Sequence, residues 1–133
     1  MAGRPLSAAA APGTPAVLVN EYYSPFGPNI GCLARYGLTV AKERVLLARL
    51  GQLNTVLAEG AQVFGFGVAD PPFTGHELCT SDPWAQGPDD PAPLHPNATG
   101  ELAIALADQQ VLPKLAGLVP APAASSTAGS GTD

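Results

Sequence analysis

Leu46, Leu50, Leu53 and Leu57 recur at the i, i+4, i+7, i+11 spacing of one helical face, with Val45 and Val56 beside them. Lys42, Arg49, Gln52 and Glu59 fall elsewhere on the wheel. Thr39 stands where an N-cap belongs and Gly60 where a helix ends, so the pattern predicts an amphipathic helix between them. Gly51 in its middle costs about 1 kcal/mol relative to alanine and suggests a close approach to another part of the molecule. Upstream, "AVLVNEYY" alternates little and is rich in β-branched and aromatic residues. It predicts a strand from Val17 to about Tyr22, ended by the turn-rich "SPFGPNIG". Downstream, "QVFGFGVA" predicts a second buried strand, Gln62 to Val68. Strand, long helix and strand together form a βαβ unit, expected to be right-handed with parallel strands.

Periodicity then stops. Asp70 to Pro96 is dense in proline, glycine and aspartate, and irregular segments of that length are functional or disordered. The last element, "NATGELAIALADQQVL", is apolar on nearly every side and predicts a buried helix, capped by Asn97 and stopped by Pro113. The class is therefore α/β with a mostly parallel sheet. Parallel sheets are covered on both faces and contain several strands, and two strands with two helices leave faces and edges open. The chain reads as part of a larger doubly wound domain.

Composition narrows this. "MAGRPLSAAAAPGTP" and the Pro/Ala tract running into Ser/Gly/Thr at the other end bury too little surface to offset the entropy of ordering. Residues 1–15 and 118–133 are thus expected to be flexible, leaving 16–117 as the foldable part. The net charge is −5, and Arg4, Arg35, Lys42, Arg44, Arg49 and Lys114 are scattered. No basic cluster exists to neutralise phosphates, which argues against nucleic acid or an anionic membrane as partner. No apolar run approaches the eighteen or so residues of a bilayer span, so stable membrane insertion is not expected. The N-terminus is a poor signal peptide, with no continuous apolar stretch before its prolines.

The chemistry-bearing residues are few. Cys32 and Cys79 lie in loops that each follow the C-terminal end of a strand, hence on one rim of the unit. A disulfide is the economical reading and implies an oxidising compartment. Two buried free thiols are the bland alternative. A zinc site made by Cys32, His76, Cys79 and His95 is the sharper one, without the paired C-x-x-C spacing that would support it. His76, in "PPFTGHELC", reads as a hydrogen-bonded structural histidine. His95 stands just before a predicted helix, where a neutral imidazole is able to act as a general base; a solvated loop histidine is the alternative. Asn97 reads as a helix cap, although "NAT" also matches a glycosylation sequon. Of the serines, Ser24 in "YYSPFG" lacks the G-x-S-x-G elbow and Ser81 sits two residues from Cys79. Ser7, Ser125, Ser126 and Ser130 fall in the flexible ends. None has the tight turn of an activated nucleophile.

Taken together, "LVNEYYSPFG", "FTGHELCTSDPW" and "LHPNATGELAIA" resemble the C-terminal half of an SGNH (GDSL-type) hydrolase, and the secreted actinobacterial esterases and lipases in particular. The resemblance spans about Val17 to Leu112. It implies a three-layer α/β/α, flavodoxin-like fold around a mostly parallel sheet, of which this chain holds the C-terminal part. It implies hydrolysis of small ester or lipid substrates without a cofactor or metal, and a secreted protein. His95 corresponds to the family's general base, and Cys32 and Cys79 to a disulfide of the secreted members. Three residues before the histidine, where the family usually has aspartate, this chain has Ala92. Some secreted members use a backbone carbonyl there, so the Ala92 carbonyl is the expected orienter of His95. Trp84, Tyr23 and Phe26 are candidate linings of the acyl pocket, with a core role as the alternative.

In the family the nucleophile lies in a Gly-Asp-Ser block that belongs before Val17 and is not found in this sequence. The expectation is an incomplete serine ester hydrolase that lacks its N-terminal half or self-associates through open sheet edges. The alternative, from another class, is a non-catalytic module that completes its sheet with a partner chain.

Overall fold

A computed structural model describes residues 15–116. The start expected to be flexible lies outside the described residues except for Pro15, and the tail 118–133 lies wholly outside them. Five elements follow one another: β1 (Leu18–Asn20), a 3-10 helix (Gly31–Tyr36), α1 (Val40–Phe64), β2 (Gly67–Ala69) and α2 (Ala98–Ala116). The result is a mixed α/β arrangement with a small two-stranded sheet. Its strands are parallel, with Leu18, Val19 and Asn20 opposite Gly67, Val68 and Ala69.

Both strands are shorter than the expected spans. At β1, the ladder is continued by Gly67 N to Val17 O and by Glu21 N to Ala69 O, each 2.9 Å. It then stops because α1 takes over: Tyr22 N donates to Asn54 Oδ1 and Asn54 Nδ2 donates to Tyr22 O, both at 2.8 Å. At β2, Gln62, Val63 and Phe64 belong to the last turn of α1 and not to the strand. The helix runs through Gly60 and ends at Gly65, whose φ of 71° lies in the left-handed region and whose N–H bonds back to Ala61 O and Gln62 O. Gly60 needs no such conformation, so only its modest helix cost acts there. The start is as expected, with the Thr39 side chain accepting from Lys42 N. Gly51 has nothing near it: a Cβ there would meet no atom within 4 Å, so the expected close approach is absent.

The leucine stripe of α1 is only half covered. Leu50 and Leu57 are partly buried, while Leu46 and Leu53 are 46% and 42% exposed. The helix α2 departs further from expectation. Gly100, Ala103 and Ala107 form its buried stripe, whereas Leu102, Leu106 and Leu112 are exposed. Small residues therefore let α2 approach the rest of the molecule, with Val111 and Leu115 over Gly67 of β2, while Leu102, Leu106 and Leu112 point away. Nor does Pro113 end it, since three more residues follow in helix. Proline removes the N–H that the carbonyl four residues earlier would receive, and Gln109 at that place is solvent-exposed, which lowers the cost.

The buried centre lies in the irregular region, not under the sheet. Leu33, Leu78 and Ala85 form a cluster, with Tyr23, Phe26, Leu38 and Cys79 against it. Cys32 and Cys79 are joined in a disulfide with a Cα–Cα separation of 5.6 Å, tying the 3-10 helix to the long loop. Thiols so paired are not available as thiolate ligands, which removes the zinc alternative in the form that used both.

Candidate functional site

Local pairing within the long loop brings His95 to the end of α2. Ala85 and Pro96 form an isolated antiparallel bridge. Around it, Gln86 N donates to His95 O (2.8 Å), Leu94 N to Gln86 O (2.9 Å) and Asn97 N to Trp84 O (2.8 Å). Asn97 then starts α2: its Oδ1 accepts from Gly100 N at 3.0 Å and its Nδ2 donates to Pro83 O at 2.7 Å. The asparagine thus acts as the expected cap and also fastens the helix start to the loop. Gly100 is required by the same packing, because a Cβ there would be driven into the Trp84 carbonyl oxygen. The loop and the first turn of α2 thus supply the backbone bonds that carry the histidine.

The His95 side chain is exposed and stands at the mouth of a cleft of about 530 Å³. Tyr23, Leu50, Pro71, Leu94 and Ile104 supply most of the apolar wall, and Asn20 and Glu21 its polar part. The ring nitrogen Nδ1 lies 3.2 Å from the carbonyl of Pro93. A carbonyl only accepts, so this contact is a hydrogen bond in the Nδ1–H tautomer, which leaves Nε2 as the accepting nitrogen. The expected orienter, the Ala92 carbonyl, is engaged elsewhere: it accepts the backbone N–H of His95 at 3.1 Å. The turn made by residues 92–95 uses that carbonyl for its own closure, and the next carbonyl along reaches the ring instead.

The three candidate pocket residues separate. Tyr23 lines the cleft, and its hydroxyl donates to Leu94 O at 2.6 Å. Burial raises the pKa of this phenol above its usual value of 10.0. Phe26 is not among the lining residues and packs on Leu33, Leu78 and Ala85. Trp84 is also absent from the lining. Its ring stacks on His76 with centroids 3.7 Å apart and meets Phe73 edge-on at 5.6 Å. That stack explains His76 as well: its Nδ1 lies 3.0 Å from the Asp82 carbonyl and 3.3 Å from the Asp82 carboxylate. The Trp84 indole N–H is buried without a partner among the described residues.

Neither described serine, Ser24 nor Ser81, is hydrogen-bonded to the His95 ring. Ser24 closes its own turn, donating to Phe26 O at 2.8 Å and accepting from Phe26 N. It lines a second cleft of about 540 Å³, which shares Glu21, Tyr22 and Tyr23 with the wall of the first and is more polar, with Asn54, Asp70 and Glu77 in its wall. Glu77 is the one buried charged residue among those described, and its Oε2 accepts from Gly75 N at 2.9 Å.

Two participants were not foreseen from the sequence. Leu94 adopts a φ of 68°, rare for a residue with a β-carbon. Asp89 joins the loop to the 3-10 helix through an exposed ion pair with Arg35 (2.8 Å) and a bond from Tyr36. Nothing in "PAPLHPN" signals the first. The opposite charges of Arg35 and Asp89 are a signal for the second, but 54 residues separate them.

Among known proteins, this chain is similar to "Lipase 1" of Streptomyces coelicolor, at 44% identity over 50 residues. The match covers 36% of this chain and 19% of that protein, so the chain spans about a fifth of the relative's length. No family profile matches, and no solved structure matches significantly. The similarity is lipase- or esterase-like and does not specify one hydrolase family.

Proposed function

We propose that this chain supplies the general-base part of an ester hydrolase of the SGNH (GDSL) type. The observation that carries this reading is His95: an imidazole with Nδ1 held by a carbonyl, at the mouth of an apolar cleft, in a chain with a lipase-like stretch. In the proposed reaction a serine hydroxyl gives its proton to Nε2 of His95 as its oxygen attacks the ester carbonyl. His95 passes that proton to the departing alkoxide, which leaves as the alcohol. It then takes a proton from the water that attacks the acyl-enzyme and returns it to the serine oxygen as the acid is released. The Pro93 carbonyl takes the orienting role given by aspartate in other serine hydrolases. The cleft is of a size and polarity suited to an acyl chain.

The serine and its oxyanion donors are proposed to come from a Gly-Asp-Ser segment outside residues 15–116, packed beside β1. That segment would extend the two-stranded sheet into the three-layer, flavodoxin-like arrangement. The exposed apolar side chains of α1, Val45, Val56, Val63 and Phe64 among them, fit such a covering. The disulfide fits an oxidising, extracellular setting.

Those same exposed side chains favour the second reading, a non-catalytic module that completes its sheet with a partner chain. An assay with a short-chain p-nitrophenyl ester and a fluorophosphonate probe separates the possibilities. The purified chain alone is expected to show no turnover beyond that of free imidazole and no labelled serine. A serine of this chain labelled by the probe, with turnover abolished by His95→Ala, would overturn the proposal that the nucleophile comes from elsewhere.

A further inference from the structure

The His95 ring is exposed, so packing does not set its direction. Its direction follows from the backbone of residues 93–95, through the bond between Nδ1 and the Pro93 carbonyl. That backbone is held in an unfavourable form, because Leu94 sits at a φ of 68° where a β-carbon crowds the adjacent peptide groups. Four bonds oppose its relaxation, the first being the closure of the turn itself, His95 N to Ala92 O at 3.1 Å. Leu94 N donates to Gln86 O and Gln86 N to His95 O, while the Tyr23 hydroxyl donates to Leu94 O at 2.6 Å. Only the last is made by a side chain, and it comes from the segment after β1, 71 residues away. Tyr23 is itself fixed, its ring stacked on the buried Phe73 with centroids 3.8 Å apart and planes 10° from parallel. The phenol donates while it is protonated, and partial burial raises its pKa further.

We propose that Tyr23 is a positioning residue for His95: by binding the Leu94 carbonyl it holds Leu94 in the left-handed conformation that places Nδ1 of His95 against Pro93 O. The consequence for catalysis rests on the hydrolytic reading above; the structural relationship does not.

The test is the imidazole tautomer, read by long-range proton–nitrogen correlation on the full chain at about pH 8.5, where a typical imidazole is neutral. His95→Gln assigns the signals, and His76 serves as internal control. The intact chain is expected to show His95 as the Nδ1–H tautomer. Tyr23→Phe, which keeps the ring stack and removes the hydroxyl, is expected to lower the Nδ1–H to Nε2–H ratio of His95 about fivefold, the equivalent of one ordinary hydrogen bond, with His76 unchanged. Adding Leu94→Gly should restore the ratio, since glycine adopts a positive φ unaided. A lost packing contact would not be rescued in this way. An unaltered His95 spectrum in Tyr23→Phe, or a change that Leu94→Gly fails to reverse, would overturn the proposal. Should Tyr23→Phe not fold, the intact chain decides: His95 mainly as the Nε2–H tautomer there contradicts it. None of these readings needs ester turnover, so the two proposals fail separately.

Discussion

Asn54 and Tyr22 exchange two hydrogen bonds, each 2.8 Å long, between a helix side chain and both backbone groups of the residue that follows the β1 ladder. The amide of Asn54 imitates a neighbouring strand at the point where the real one ends. It fixes the exit of β1 toward Tyr23 and the cleft. Asn54→Ala removes both bonds and is expected to lower unfolding stability by about 2 kcal/mol, at roughly 1 kcal/mol for each. Urea denaturation followed by circular dichroism measures the shift, which should appear in the midpoint and not in the slope.

The disulfide closes a covalent loop between Cys32 and Cys79, 47 positions apart in sequence. On the chain-entropy account such a loop stabilises by about 4 kcal/mol at 25 °C. The buried cluster is small: no large side chain among the described residues is fully buried. A loss of that size is therefore expected to unfold most of the molecule. Cys32→Ser with Cys79→Ser, or reduction with dithiothreitol, should abolish the cooperative thermal transition, as seen by calorimetry.

Tyr23 couples stability to alkaline pH. Its pKa is raised by burial, so the native state holds the phenolic proton where the unfolded chain has lost it. The stabilising contribution is complete below about pH 10, the unfolded value, and declines as pH rises from there toward the folded one. Stability is expected to fall through that window in the parent chain and to fall less steeply in Tyr23→Phe. Denaturation midpoints compared at about pH 8, 10 and 11 give the two slopes.

Particular residues show what could be read in advance. Thr39, the Leu50 and Leu57 positions, Asn97 and the two cysteines were legible because each acts through short-range rules: a cap, a period, a shared rim. The place of His95, just before the capped start of α2, was legible for the same reason. The failures share another cause. The run from Gln62 to Phe64 is apolar enough for strand or helix, and only the left-handed Gly65 decides where α1 stops. Leu102, Leu106 and Leu112 of α2 read as buried because apolar residues usually are, whereas the buried stripe of α2 is Gly100, Ala103 and Ala107. The choice between the Ala92 and Pro93 carbonyls, and the separation of Tyr23 from Trp84 and Phe26, depend on how residues far apart in sequence meet.

The exposed apolar residues of α1 and the open edge of β1 connect the fold to the proposed chemistry. Both are explained if further strands cover this unit, and those strands would be the ones that carry the nucleophile. A chimera tests that directly: residues 15–116 of this chain in place of the corresponding region of the Streptomyces lipase, assayed for p-nitrophenyl ester turnover. The account predicts a folded chimera with ester hydrolysis above background, reduced at least about 100-fold by His95→Ala, as expected for loss of a general base. A folded chimera that does not hydrolyse esters, or whose activity survives His95→Ala, would contradict it.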